Sequence, residues 1–127
     1  MEDLIWGEGR LSMRLAAAEV GTGLVVIISG GESPHVGSVA VAVPRPSLRD
    51  AALTSATASV ITVVGHKDDE LSKPIAEFLA ARLHRIVVVV AGVHLARATA
   101  ADIECIRDGA WELARELCHR LSGSGGD

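Results

Sequence analysis

The alternation of apolar and polar residues predicts strands in most of the first half of the chain. Leu11, Met13 and Leu15 alternate with polar residues, which is the period-two pattern of a strand with one solvated face. After a turn signal at 21–23, a β-branched run over 24–29 is typical of a buried central strand. Further apolar runs predict strands over 35–43, 54–64 and 85–91.

Two segments have the helical period instead. The first follows residues 65–69, and its apolar positions share one face: Leu71, Ile75, Phe78, Leu79 and Leu83. A helix beginning at Asp69 would lose an internal hydrogen bond at Pro74, whereas a helix capped by Ser72 would not. The last helix is expected to begin near Thr99, where Asp102 completes only part of a capping box because Asp is shorter than Glu.

The element order β-β-β-β-α-β-α predicts a single α+β domain with a mixed, mostly antiparallel sheet of about five strands and both helices on one face. Pro44 and Pro46 are expected to end the third strand, since proline cannot donate to a ladder. We expect residues 1–8 to form a flexible arm, residues 9–121 the domain and residues 122–127 a disordered tail. The uncovered sheet face, or the outer face of the last helix, could hold a second copy.

The composition of the chain argues against several classes of function. A chain of 127 residues with 49% apolar and 22% charged residues is typical of one globular domain. Its net charge of −4, its 2% aromatic content and its lack of a basic cluster argue against nucleic-acid binding. The apolar runs are too short for a membrane span and the N-terminus is acidic, so a cytoplasmic protein is expected. Cys105 and Cys118, about 20 Å apart along one helix, are expected to stay reduced.

Three segments that combine glycine with histidine are the candidate functional surface. Each follows a predicted strand: Gly30, Gly31 and His35; Gly65, His66, Lys67 and Asp68; Gly92 and His94. Glycine lets the backbone approach a ligand closely, and loops at strand ends are where binding sites collect. These segments therefore predict a binding site whose chemistry is open.

Several chemistries are possible at these positions. A metal would draw on imidazole and carboxylate ligands from His66, Asp68, Asp69 and His94, but no strong metal-binding spacing is present. A hydrolase would use His66 or His94 as the base for Ser55 or Ser59, yet the nucleophile-elbow motif GxSxG is missing.

Anion binding is a further possibility. Lys67 at a helix start could hold a phosphate, although Asp68 beside it opposes that, and Arg45 or Arg49 could serve instead. Hydroxyls alternate in a row at Ser55, Thr57 and Ser59. In a strand this row would share one face, either as part of a polar ligand site or as a solvent-facing surface.

Four segments together resemble the prenylated-flavin chaperone-like family, the small accessory proteins associated with gallate and other phenolic-acid decarboxylases. They are PRPSLRD at 44–50, TSATAS at 54–59, GHKDDEL at 65–71 and VVAGVH at 89–94. The resemblance runs from about Leu24 to Ile106, and Pro74 departs from the uninterrupted helix expected there. It implies a fold similar to heterodimeric proteasome assembly chaperones, with helices on one side of a sheet.

The resemblance further implies a non-enzymatic homodimer that binds reduced prenylated flavin mononucleotide (FMN) and helps insert it into an apo-decarboxylase. We hypothesise that the pocket is formed by the motif residues Gly30, Gly31, His35, Arg45, Ser55, Thr57, Ser59, Gly65, His66, Lys67, Asp68, Gly92 and His94. Two alternatives stay open: a catalytic decarboxylase subunit that uses the His and Asp residues, and a purely structural assembly partner.

Overall fold

The computed structural model describes residues 1–63 and 69–122. Its strands and helices follow the order predicted from the sequence, with one additional strand at the start. In this part of the chain six strands and two α-helices follow one another: β1 (Glu2–Trp6), β2 (Met13–Val20), β3 (Gly23–Gly31), β4 (Ser38–Pro46), β5 (Thr54–Thr62), α1 (Asp69–Leu83), β6 (Val87–His94) and α2 (Ala100–Leu121). A 3₁₀ turn at Gly9–Leu11 joins β1 to β2.

The strands form one sheet in the order β1-β2-β3-β6-β4-β5. Every neighbouring pair is antiparallel except β3 and β6, which run parallel from Leu24 opposite Val87 to Gly31 opposite His94. Helix α1 packs on β4, β5 and β6, and α2 packs on β1 and β2, so both helices cover the same face. The predicted α+β fold is confirmed, with six strands in place of about five.

Alternate residues of the strands make the core under these helices. Its largest fully buried apolar side chains are Met13, Leu15, Val26, Ile28, Ile75, Leu79, Val87, Val89 and Leu117. Burying one such aliphatic side chain stabilises the fold by about 1.5–3 kcal/mol. The residues between them on the strands point to the opposite face of the sheet, which we name the outer face.

The first strand corrects the expected flexible arm. Residues Glu2–Trp6 pair with β2, and Leu4 is buried. The Trp6 ring packs so closely on Gly109 of α2 that a Cβ there would lie 2.5 Å from it, and its indole Nε1 donates to Glu112 at 3.1 Å. Five residues are too short for a clear periodic signal, so the contact with α2 was not visible in the sequence.

The fourth strand passes through both prolines, contrary to expectation. The Ser47 amide donates to the Leu53 carbonyl at 2.8 Å, which fixes the phase of the β4–β5 ladder. In that phase the nitrogens of Pro44 and Pro46 point away from β5, towards the side where β6 would lie. The β4–β6 pairing ends at Ala42 opposite Val87, so neither proline removes a ladder bond.

Both helices include the residues around their expected starts. In the described residues α1 runs from Asp69 to Leu83 with Pro74 inside it, and Ser72 is a fully buried helix residue whose hydroxyl accepts a hydrogen bond from Ser38 at 2.8 Å. The alternative start capped by Ser72 is therefore wrong.

Helix α2 is capped by Thr99, and its capping box is complete rather than partial. The hydrogen bond from the Thr99 amide, followed by the one from the Arg10 guanidinium, lowers the pKa of Asp102 below its usual range. Among the described residues, neither helix is long and apolar enough to cross a membrane.

Candidate functional site

Two of the three glycine and histidine segments meet at one edge of the sheet. The carboxyl ends of the parallel strands β3 and β6 lie side by side, with Gly31 opposite His94. His35 follows β3, and its ring lies 6.3 Å from the ring of His94 at an interplanar angle of 76°. We name this cluster the glycine–histidine edge; it consists of Gly30, Gly31, His35, Gly92 and His94.

The glycines of this edge allow backbone to pack on backbone. A Cβ on Gly92 would lie 1.4 Å from the His35 carbonyl oxygen, and a Cβ on Gly31 would lie 2.3 Å from the His94 carbonyl oxygen. Gly31 also has a φ of +74°, a conformation that favours glycine. The sequence suggested that these glycines make room for a ligand, whereas the structure uses them to hold the two histidine-bearing segments together. Gly92 and His94 lie within β6 and not in a loop.

Charged side chains fasten the same edge to the start of α2. The Glu32 amide donates to the His94 carbonyl, and the Glu32 carboxylate accepts from the Ala96 amide, both at 2.8 Å. Arg10 donates to Asp102 at 3.0 Å and to the Ala96 carbonyl at 2.9 Å. Sequence reasoning missed these residues, because nothing local in the chain links Arg10 to partners more than eighty positions away.

The two histidines differ in exposure. His35 is half-buried, with its Nδ1 3.2 Å from the Ser33 carbonyl oxygen, so the Nδ1–H tautomer would donate there. His94 is exposed. The edge therefore offers one accessible imidazole, that of His94, beside a His35 ring whose Nε2 is buried.

The second predicted segment, Gly65, His66, Lys67 and Asp68, lies outside the described residues. The described residue Val63 leads towards it, and its amide donates to the Gly37 carbonyl at 2.8 Å. The Gly37 amide in turn donates to the Ala91 carbonyl at 2.9 Å, one residue before Gly92. Val63 is thus anchored beside the glycine–histidine edge. Among the residues that the structure describes, no three His, Cys, Asp or Glu side chains are placed to share a metal ion.

Arg45 and Ser55 lie at the opposite edge of the sheet. They pair with each other three residues beyond Ala42, which is opposite Val87 at the start of β6. From there to His94 the strand extends about 23 Å at about 3.3 Å per residue, close to the width of a small domain. The structure therefore does not bring Arg45 and Ser55 to the glycine–histidine edge.

The side chain of Arg45 is held in place at this opposite edge. Its Nε donates to the Thr57 hydroxyl at 2.7 Å and its Nη1 to the Pro46 carbonyl at 3.0 Å. Nearby is a cleft of about 250 Å³, lined by Pro44, Arg45, Pro46, Ala51, Leu53, Thr54 and His84. His84 has a φ of +55°, and its Nδ1 lies 3.1 Å from the Thr54 hydroxyl.

The hydroxyl row shares one face, as its alternation predicts. Thr57 pairs with Val43 and Ser59 with Val41, and all four are exposed on the outer face. The row therefore lies on an open sheet surface and not in an enclosed pocket.

Comparison with known proteins identifies a family whose model matches most of this chain. The model of the prenylated flavin chaperone LpdD-like domain matches residues 7–122. Among solved structures, a chain in the crystal structure of a chaperone complex for yeast 20S proteasome assembly superposes with a TM-score of 0.60. It covers 96% of this chain and 98% of its own length at 13% identity, which supports the fold. No curated protein matches the sequence. The resemblance stated from the four motif segments is confirmed.

Proposed function

Because this chain belongs to the prenylated flavin chaperone LpdD-like family, we propose that it binds reduced prenylated FMN and delivers it to a prenylated-flavin-dependent decarboxylase. In this proposal the chain works as a cytoplasmic homodimer and catalyses no reaction itself. The observation that carries the proposal is the family match over residues 7–122, which includes every described residue of the glycine–histidine edge.

The glycine–histidine edge is where we place the flavin. A reduced flavin needs hydrogen-bond partners for its polar ring edge and an apolar surface for the rest of the ring. His35 and His94 supply the imidazoles, while Val93 and Leu95 are half-buried apolar neighbours that pack against the core. The phosphate contact expected of Lys67 from the sequence lies outside the described residues.

The openness of this edge suits a carrier. His94 is exposed, so a ligand held there can leave without unfolding any part of the sheet. A carrier must also release its cargo, and a dissociation constant near 1 µM, about −8 kcal/mol, would permit both binding and transfer. In this role the fixed backbone of β3 and β6 orients the ligand, and the surface histidines set its affinity.

Anaerobic binding tests the proposal. Reduced prenylated FMN is mixed with the protein, and retention is measured by gel filtration and calorimetry. We expect His94→Ala and His35→Ala each to weaken binding about tenfold, the effect of losing one hydrogen bond worth about 1.4 kcal/mol. His119→Ala is the matched control, because His119 is an exposed histidine in the last turn of α2.

Transfer and catalysis are measured with the same preparation. Protein loaded with the cofactor should restore activity to an apo-decarboxylase, and protein alone should release no carbon dioxide from dihydroxybenzoates. Failure to retain the reduced cofactor would contradict the proposal, and turnover by the chain alone would favour the catalytic alternative. Equal binding of the flavin by the wild type and both histidine variants would show that the flavin does not bind at the glycine–histidine edge.

A further inference from the structure

Strand β5 lies at one end of the sheet and has a strand neighbour on one side. Within residues 1–63 and 69–122 the strand order ends at β5, and its neighbour is β4. The nine residues of β5, TSATASVIT, include no charged residue and no proline. Edge strands of soluble proteins are usually short, charged or interrupted by proline, because bare N–H and C=O groups pair with other chains. The sequence of β5 therefore lacks the features that keep an edge strand unpaired.

The strand at the other end of the sheet, β1, does have these features. It has five residues, and two of them, Glu2 and Asp3, are acidic. Asp3 accepts hydrogen bonds from Arg14 at 2.8 and 2.7 Å, and Glu2 accepts one from Arg120 at 3.4 Å. A short strand with charged side chains is a poor template for a further strand. Of the two ends of the sheet, β5 is thus the one that can accept another chain.

The hydrogen-bond phase of the β4–β5 ladder shows which backbone groups of β5 point away from β4. The Ser47 amide donates to the Leu53 carbonyl at one end of the ladder, and the Val63 amide donates to the Gly37 carbonyl at the other end. Both bonds join odd-numbered residues, so the odd-numbered residues of β5 direct their N–H and C=O groups to β4. The even-numbered residues direct theirs away from the sheet. We name these backbone groups the lateral side of β5; they belong to Thr54, Ala56, Ala58, Val60 and Thr62.

The side chains next to the lateral side determine what kind of chain fits there. Towards α1, Ala58 and Val60 pack against the core but stay half-buried, whereas Val89 of the central strand β6 is fully buried. On the outer face, Thr57 and Ser59 are exposed and present hydroxyls. An added strand would place apolar side chains beside Ala58 and Val60 and polar side chains beside the hydroxyls. The lateral side therefore fits an extended peptide in which apolar and polar residues alternate.

The end of β5 lies close to the glycine–histidine edge. Thr62 is opposite Ser38, and Ser38 is opposite Ala91, so these three residues form one row across β5, β4 and β6. At about 4.8 Å per strand, Thr62 is about 10 Å from Ala91. His94 is three residues further along β6, which is about 10 Å at about 3.3 Å per residue. The end of β5 is therefore roughly 14 Å from His94, so a chain bound along β5 reaches the site where we place the flavin.

We propose that the lateral side of β5 binds an extended segment of the decarboxylase that receives the cofactor, and that this segment adds a strand to the sheet. The inference rests on the proposed function for the identity of the partner. Hydrogen bonds to the backbone of β5 supply the affinity, and the alternating side chains of the bound segment supply the specificity. Because β5 ends near His94, the decarboxylase is held beside the glycine–histidine edge while the flavin is released.

Biolayer interferometry with the apo form of a prenylated-flavin-dependent phenolic-acid decarboxylase, in the absence of cofactor, tests the proposal. Ala58→Pro removes an N–H group of the lateral side and leaves the hydrogen bonds to β4 in place, because those bonds belong to odd-numbered residues. We expect Ala58→Pro to raise the dissociation constant at least about tenfold, the effect of losing one hydrogen bond worth about 1.4 kcal/mol. Ala58→Val is the matched control: it adds similar bulk and keeps the N–H group, so its dissociation constant should stay within about twofold of the wild type.

A second proline variant guards against misfolding of the first. Thr62 is exposed, so the ring in Thr62→Pro displaces no core side chain, and this variant should also raise the dissociation constant about tenfold. Hydrogen exchange adds a direct measurement on the wild type. In the chain alone, the amides of the lateral side should exchange faster than those of Thr57 and Ser59, which face β4. When about nine-tenths of the chain is bound to the decarboxylase, exchange at the lateral side should slow about tenfold.

Several results would overturn the inference. If both proline variants bind the decarboxylase as tightly as the wild type, or if exchange at the lateral side does not slow in the complex, this inference fails and the proposed function stands. Slowing of the same amides with rising concentration of the chain alone would show that a second copy occupies β5 and would contradict the proposed occupant. A wild type that retains flavin but does not bind the decarboxylase at about 100 µM contradicts both delivery and this inference. A wild type that binds the decarboxylase through β5 but does not retain flavin contradicts the proposed cargo alone.

Discussion

Replacing Gly92 with alanine is the sharpest test of the glycine–histidine edge. The added Cβ would lie 1.4 Å from the His35 carbonyl oxygen and 2.4 Å from its carbon, and both atoms belong to the backbone. An ordinary contact needs about 3.4 Å, so the segment around His35 must move by about 2 Å. That movement strains or breaks the bond from the Gly37 amide to Ala91. Overpacking of about 1–3 kcal/mol and one lost hydrogen bond of about 1 kcal/mol give a destabilisation of about 2–4 kcal/mol.

Thermal unfolding followed by circular dichroism measures this loss. For a chain of this size a loss of about 1 kcal/mol lowers Tm by about 3–5 °C, so the Tm of Gly92→Ala should fall by about 6–20 °C. Gly23→Ala is the control: its Cβ would lie 3.4 Å from the nearest atoms, and alanine restricts the unfolded chain, so Tm should stay the same or rise slightly. A Gly92→Ala protein as stable as the wild type would refute the close backbone packing described for this edge.

Two further predictions concern polar groups outside the edge. Ser72→Ala should lower the free energy of unfolding in urea by about 1–3 kcal/mol, because it leaves the fully buried Ser38 hydroxyl without its acceptor. The double variant Ser38→Ala/Ser72→Ala should lose less than the sum of the two single changes. Strict additivity of the two losses would argue against the hydrogen bond between these serines. Asp102 has a lowered pKa in the folded chain, so its contribution is present above its ordinary pKa of 3.8 and is lost as pH falls below that value. Asp102→Asn should therefore show a shallower loss of stability than the wild type between about pH 5 and pH 2.5, and parallel curves would contradict this origin.

The sheet and its covering helices follow from periodicity, because burial of one face imposes the alternation that the sequence displays. Val87 and Val89 lie in the core while Val88 and Val90 point outward, as a strand requires. What periodicity does not contain is strand order. The insertion of β6 between β3 and β4 comes from long-range pairing, and it decides that Gly31 and His94 meet at one edge while Arg45 lies at the other.

Predictions from local sequence were wrong where contacts between distant parts of the chain determine the structure. The prolines of β4 were expected to end the strand, yet they sit beyond the end of the β6 pairing, where no donor is needed. Trp6 pairs with Met13 of β2, and its ring packs on Gly109 of α2, which the sequence could not show. The motif segments identified the family correctly. Their spacing in the sequence did not show that the described motif residues lie in three places: the glycine–histidine edge, the opposite edge with Arg45, and the outer face with Thr57 and Ser59.

The position of β6 also sets the order in which the molecule can assemble. Its partners β3 and β4 precede it by about sixty and fifty residues in the chain, so the two halves of the sheet, β1–β2–β3 and β4–β5 with α1, can form as hairpin units before β6 joins them. Chain synthesis delivers this strand late, and until it arrives each half exposes an unpaired central strand edge. Because β6 carries Gly92 and His94, the glycine–histidine edge exists only once β6 has paired with β3 and β4 and joined the two halves of the sheet.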